Sequence, residues 1–250
     1  MKGFYLALDT ATEACSAAVW LDGAVRERFE IAQRGHTQRL VPMIRELLAE
    51  CGRDPGALDA VVCGVGPGSF AGVRIGVGVA KGLALARGLP VVPVSSLAML
   101  AQRQVQAGAT HVACAIDARL GEIYLGAYRA EHGLAVALQP DRLSTAEAAG
   151  ALPAARWHAA GTGWAAAGVA LRVATGIDPV ACDGAALPRA LDALALALPR
   201  LAAGETLGAD ALVPAYLRDK VALTLEEQSA LRRSNREAAG KAGTATAGES

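Results

Sequence analysis

Apolar positions in the first half of the chain switch between two periods. The short apolar runs Phe4–Leu8 and Cys15–Leu21, followed by the alternating Val25–Ile31, read as three strands in a meander, with Leu21-Asp22-Gly23 as a turn signal. The period then becomes helical. Leu40, Val41, Ile44, Leu47, Leu48 and Cys51 recur at helical spacing between Thr37 and Cys51, and Gly52 stops the helix. Leu58–Val65, with Asp59 its one charged residue, reads as a strand buried on both faces. The loop Gly66-Pro67-Gly68-Ser69 follows, then a helix Phe70–Arg87 ended by Gly88, a strand Val91–Val94 and a helix Ser95–Gln106. Strands joined through a helix make right-handed crossovers and pair parallel, so the pattern predicts an α/β fold.

The pattern then restarts. Ala115-Ile116-Asp117 and Glu122–Ala130 match Ala7-Leu8-Asp9 and Cys15–Leu21 at a constant offset, with Tyr128 falling on Trp20. A structural duplication follows: two similar lobes, at 1–108 and 109–225. Helical stretches are expected at Thr145–Leu152, Gly163–Thr175 and Leu187–Ala202, and Pro214-Ala215-Tyr216-Leu217-Arg218 as a short ordered segment. Residues 226–250 are polar, then rich in Gly, Ala, Thr and Ser without periodicity, and read as a disordered tail.

Composition narrows the class. With 53% hydrophobic and 19% charged residues the chain can bury a core, and with only 4% aromatics that core is made of small and aliphatic side chains. Lys+Arg 24 against Asp+Glu 24 leaves no overall field to attract nucleic acid or membrane, although a local basic patch stays open. Five scattered cysteines without a C-x-x-C read as free thiols in a reducing compartment. The apolar run after Lys2 is too short for a signal peptide, and Pro67, Arg74 and Lys81 interrupt the most apolar stretch, Val61–Ala86. A soluble cytoplasmic protein is expected.

Candidate chemistry is sparse. The loop Gly66-Pro67-Gly68-Ser69-Phe70-Ala71-Gly72 lies between a buried strand and a helix, where free amides and the helix dipole favour an anion. The same glycines serve equally for a tight turn and close packing. Gly72, Gly76, Ala80 and Ala84 make a smooth stripe that would admit another backbone, within the fold or in a partner. Asp9, beside Thr10 and Thr12 at a strand end, could hold a hydrated Mg²⁺ or simply cap a turn, and Asp117 is its counterpart. His36, His111, His132 and His158 show no metal-ligand spacing, so no metal site is expected; His36 reads as a cap or surface residue. No G-x-S-x-G elbow occurs.

Five segments nevertheless carry a resemblance. They are Leu6–Ala18, His36-Thr37-Gln38-Arg39-Leu40-Val41-Pro42, Gly64–Gly76, Ile116-Asp117-Ala118-Arg119 and Pro214–Arg218. Together, in this order, they resemble the TsaB family, also called YeaZ, over residues 1 to about 225. The resemblance implies the duplicated RNase H-like fold of actin, Hsp70 and sugar kinases. It implies a non-catalytic subunit in making N6-threonylcarbamoyladenosine beside the anticodon of tRNAs that read codons starting with A. The implied partners are a TsaD-like transferase, bound as a heterodimer, and a TsaE-like ATPase, with tRNA met through the complex; a homodimer is also open. TsaD-like catalysis needs paired metal-binding histidines, which this sequence lacks, and the old glycoprotease label has no chemical basis in it. The family's paired helices match Thr37–Cys51 and Phe70–Arg87, which nominates Leu40, Met43, Leu47, Val73, Gly76, Val77 and Ala80 as a partner face. Asp9, Thr10, Gly66, Gly68 and Ser69 are expected to mark a vestigial nucleotide site with at most weak ATP or ADP binding. The rival reading is an ATP-binding phosphotransferase or ATPase of the actin-like fold, using Asp9 and Asp117 around Mg²⁺.

Overall fold

Two sheets with one strand order organise the chain. The computed structural model describes residues 2–32 and 35–218. The expected tail, 226–250, lies outside the described residues. In the first sheet β1 (Phe4–Asp9) is central, flanked by β2 (Ala14–Leu21) and β3 (Ala24–Ile31) on one side and β4 (Ala60–Gly64) and β5 (Val91–Val94) on the other. β1, β2 and β3 pair antiparallel, whereas β1, β4 and β5 run parallel. The second sheet repeats this plan around β6 (His111–Arg119). β7 (Glu122–Glu131) and β8 (Leu134–Ala137) continue antiparallel on one side, and β10 (Trp157–Ala160) and β11 (Ala181–Asp183) lie parallel on the other. β9 (Arg142–Thr145) adds a second pairing to β7.

Five helices cover the sheets: α1 (His36–Glu50), α2 (Phe70–Arg87), α3 (Ser96–Gln106), α4 (Thr162–Thr175) and α5 (Ala190–Ala202). Side chains alternate across β1, so Leu6 and Leu8 meet Leu40, Leu47 and Val73 under α1 and α2, while Tyr5 and Ala7 meet Ala190 and Leu194 of α5. In β6, Cys114 and Ile116 meet Leu97 and Leu100 of α3, and Ala113 and Ala115 meet Trp164 and Leu171 of α4. Covering on both faces explains why both central strands read as continuous apolar runs. The helices after β5 and β11 are exchanged: α3 follows the first sheet but packs on the second, and α5 follows the second but packs on the first.

Polar contacts fix α3 in that place. Gln102 donates to the Gly133 carbonyl (3.0 Å) and accepts from the Ala135 amide (2.8 Å), so it completes the backbone bonding of β8. At the start of α3, Ser95 accepts from the amides of Leu97 and Ala98 and donates to Asp141 (2.5 Å), whose other oxygen receives the Tyr128 hydroxyl (2.6 Å).

The helix expected at Thr145–Leu152 is absent. β9 ends at Thr145 and turns follow, with Gly150 at φ 72° and Ala146 and Ala149 buried; the Leu152 amide bonds the Thr175 carbonyl. Alanine-rich composition favoured a helix there, but pairing with β7 and the left-handed Gly150 prevail over local propensity. Cys15, Cys63 and Cys114 are buried, Cys51 is half-buried and Cys182 exposed, all as free thiols. No helix among the described residues is long and apolar enough to cross a membrane.

Replacing Gln102 with Leu should leave the buried Ala135 amide of β8 unpaired, at about 1–3 kcal/mol, and free the carbonyl of Gly133, just before the strand, to meet water. Calorimetry of Gln102→Leu should show a melting temperature lowered by several degrees with one transition retained. An unchanged melting temperature would mean that the glutamine does not anchor α3.

Candidate interaction face on helix α2

The five residues expected around a nucleotide do come together, but they close on one another. Asp9, at the end of β1, is fully buried; its oxygens accept from the Ala11 amide (3.1 Å) and the Ser96 hydroxyl (3.2 Å). In this structure both carboxylate oxygens are turned away from the surface and bonded within the chain. Thr10 donates its hydroxyl to the Gly72 carbonyl at 2.7 Å. In the loop, Gly66 sits at φ 91°, the Ser69 amide bonds the Ala11 carbonyl (2.6 Å), and a Cβ on Gly68 would lie 2.1 Å from that same oxygen. The Ser69 hydroxyl caps α2 by accepting from the Gly72 amide at 3.2 Å. The Ala11 carbonyl thus takes up the Ser69 amide, and the loop packs closely on the main chain after β1.

Asp117, the counterpart in the second sheet, differs. It is half-buried and turns back on its own hairpin, accepting from the Arg119 amide (2.8 Å) and pairing with the Arg119 guanidinium (3.0 Å). His36 is buried, not a cap or a surface group. Its Nε2 faces the carbonyls of Thr12 (2.8 Å) and Ala14 (3.2 Å), so that nitrogen carries the hydrogen and staples α1 to the β1–β2 turn. Among the described residues no three His, Cys, Asp or Glu side chains are placed to hold a metal ion.

Helix α2 carries glycines on two opposite sides. Gly72 and Gly76 face inward: a Cβ there would lie 2.2 Å from the Thr10 carbonyl and 2.6 Å from the Thr10 hydroxyl. Gly78 and Gly82 face open space, with nothing within 4 Å of a Cβ, and the exposed Ala71, Leu85 and Ala86 share that outer side with half-buried Ile75 and Val79. The nominated partner residues Leu40, Met43, Leu47, Val73, Gly76, Val77 and Ala80 are all buried in the chain's own packing. They form the inner side of α1 and α2, and the free face of α2 is the other one. Their apolar character does not tell internal packing from a partner face.

Sequence reasoning missed three side chains at the N-terminal end of α2. The Arg74 guanidinium lies 3.3 Å from the centre of the Phe70 ring and 4.8 Å from that of Tyr216, and it donates to the Phe70 carbonyl at 2.9 Å. The i to i+4 spacing of Phe70 and Arg74 was a signal for the first contact; the second joins segments far apart in sequence, and no local pattern reveals it.

This geometry can be set beside known proteins. The family model described as TsaD, tRNA N6-adenosine threonylcarbamoyltransferase, matches residues 29–224. The chain is 41% identical over 233 residues to the tRNA threonylcarbamoyladenosine biosynthesis protein TsaB of Escherichia coli, covering 87% of this chain and 95% of the relative. To the protein of the same name from Haemophilus influenzae it is 39% identical, covering 86% of this chain and 94% of the relative. The chain belongs to the TsaB family. The solved structure of YeaZ from Pseudomonas aeruginosa is 43% identical, with a TM-score of 0.80 over 87% of this chain and 100% of that one. The two like-ordered sheets are accordingly the RNase H-like fold in duplicate that a TsaB sequence implies. The TsaD model covers β4, β5, all five helices and the whole second sheet, so over that length this chain is similar to the transferase family that the model describes.

Burial holds the Asp9 carboxyl at about 6 instead of its ordinary 3.8; the bonds from Ala11 and Ser96 and the neighbouring His36 oppose the shift. Between 3.8 and about 6 the folded chain keeps a proton that the unfolded chain releases. The group's contribution to stability therefore falls as pH rises through that window and stays low above it. Asparagine keeps both contacts without the charge: its oxygen accepts from the Ala11 amide, and its NH2 donates to the Ser96 hydroxyl, which reverses that bond. Asp9→Asn should be more stable than the parent at pH 8 by of order 1–3 kcal/mol, and the gap should close as pH falls below about 6. Asp192, pushed up to about 7 by burial, titrates nearby, so the parent-minus-variant difference is the quantity to measure. An Asp9→Asn chain less stable than the parent at pH 8 would contradict this account of the site.

Proposed function

We propose that this chain is a non-catalytic subunit in the formation of N6-threonylcarbamoyladenosine in tRNA, acting by docking the outer face of α2, with α1, onto a TsaD-like transferase. The observation that carries the reading is the pair of outward glycines. Each unfilled glycine inside a helix costs roughly 1 kcal/mol relative to alanine, and among the described residues neither Gly78 nor Gly82 meets anything that requires the missing side chain. A second backbone approaching closely would require it. The names of the relatives support the pathway, and the shared framework with the TsaD model supports a partner of the same build. In this reading a TsaE-like ATPase acts on the same assembly in the cytoplasm, and tRNA is the substrate of the complex. Docking promotes modification because it favours the active arrangement of the transferase by differential binding to that state.

Two variants of one helix test the face. Gly82→Leu places its side chain in open space and raises helix propensity, so the chain should melt at or above the parent temperature while binding the transferase at least about tenfold more weakly. Gly76→Leu drives a side chain into Thr10 and should lose the fold itself. Melting curves, calorimetric titration against the transferase and mass analysis of nucleosides from reconstituted tRNA modification supply the readouts. A folded Gly82→Leu chain that binds and activates like the parent would overturn the proposal.

A further inference from the structure

The chain has three Phe, three Trp and four Tyr. Among the described residues only two of these rings are exposed, Phe70 at 53% and Tyr216 at 55%; the others are buried or half-buried. Both exposed rings lie on the same guanidinium, that of Arg74. Chance placement on an aromatic-poor surface would scatter them.

Among the described residues no carboxylate neutralises the cation between the rings. No carboxylate of the described residues lies within ion-pair distance of Arg74, and its one hydrogen bond goes to a main-chain carbonyl. Exposed planar faces beside an uncompensated, planar cation suit a ligand that is both aromatic and anionic. An unpaired nucleotide is both: its base stacks on a ring or guanidinium plane and its phosphate meets the charge. An apolar peptide would want a groove. The cavity found along α2, about 420 Å³, lies at the other end of the helix, lined by Leu85, Gly88, Leu89, Pro90 and Leu207.

We infer that Phe70, Arg74 and Tyr216 form a stacking platform for an unpaired nucleotide of RNA, at the N-terminal end of α2. This deepens the proposed function, on which the choice of RNA rests, by giving the subunit a direct contact with the nucleic acid that the complex modifies. The platform is sequence-tolerant, because every base offers a flat face, and it discriminates against a fully paired stem, whose bases are already stacked.

The test uses the full chain and a fluorescein-labelled RNA hairpin with an unpaired loop, read by anisotropy, with the fully paired duplex of the same stem and free AMP as comparisons. The parent should bind the hairpin more tightly than the duplex or AMP. Phe70→Ala, Tyr216→Ala and Arg74→Ala should each weaken hairpin binding by roughly tenfold with melting temperature nearly unchanged. Arg74→Lys, which keeps the charge and loses the plane, should be weakened as well. Titration of each variant with the transferase separates the two readings: Gly82→Leu should lose the protein partner and keep RNA, whereas Phe70→Ala should do the reverse. Equal hairpin binding by parent and platform variants overturns the inference, as does loss of the protein partner with RNA affinity intact. Equal binding of hairpin and duplex by the parent also overturns it.

Discussion

The rest of the structure depends on how closely α2 approaches the end of β1. At Gly72 and Gly76 the helix comes so near to Thr10 that only hydrogen fits between them, and the Thr10 hydroxyl bonds the Gly72 carbonyl across that contact. Around this contact the Gly66–Ser69 loop is seated on Ala11 through the Ser69 amide, and Asp9 turns inward to Ser96. It also fixes the rotation of the helix. At about 100° per residue, Gly78 lies about 200° from Gly76, so packing one glycine pair inward turns the second pair outward.

The second sheet uses the same device. Gly161 and Gly163 begin α4 against the main chain of Ala115 on β6, where a Cβ would come within 2.3 Å of the carbonyl oxygen and 2.9 Å of the carbonyl carbon, respectively. Duplication therefore extends beyond strand order to the helix–strand junction. Each sheet still needs a helix from the other's sequence to cover its second face, and the Gln102 and Asp141 contacts hold one of these exchanged helices in place. The result is a rigid framework with its polar groups at the strand ends satisfied internally and its unspent features, small residues and an aromatic–arginine stack, on the surface of one helix.

Much of this was legible in the sequence. The meander, α1, α2, β5 and α3 follow from period and punctuation, because strands covered on both faces and amphipathic helices leave strong local signals. The restart at Asp117 announced the duplication through a few residues at constant spacing. Less legible were the short strands β8 to β11, whose four or fewer residues carry little periodicity, and the Ala-rich stretch after Thr145, where cross-strand pairing outweighs propensity. The directions in which the nominated residues point were not legible. A small, apolar stripe reads alike whether it faces its own sheet or a partner. Only the three-dimensional contact with Thr10 distinguishes Gly76 from Gly82, and only the fold brings Tyr216 to Arg74.

Helix α2 is closed on its inner side and carries open glycines on its outer side, where the proposed partner docks. A thiol introduced by Gly82→Cys measures this directly, with the native exposed Cys182 as an internal control in the same molecule. Maleimide labelling followed by peptide mass analysis should show the introduced thiol reacting freely in the isolated chain. On addition of the transferase it should be protected while Cys182 keeps its rate. Labelling at position 82 that stays as fast in the co-eluting complex as in the free chain would contradict the account.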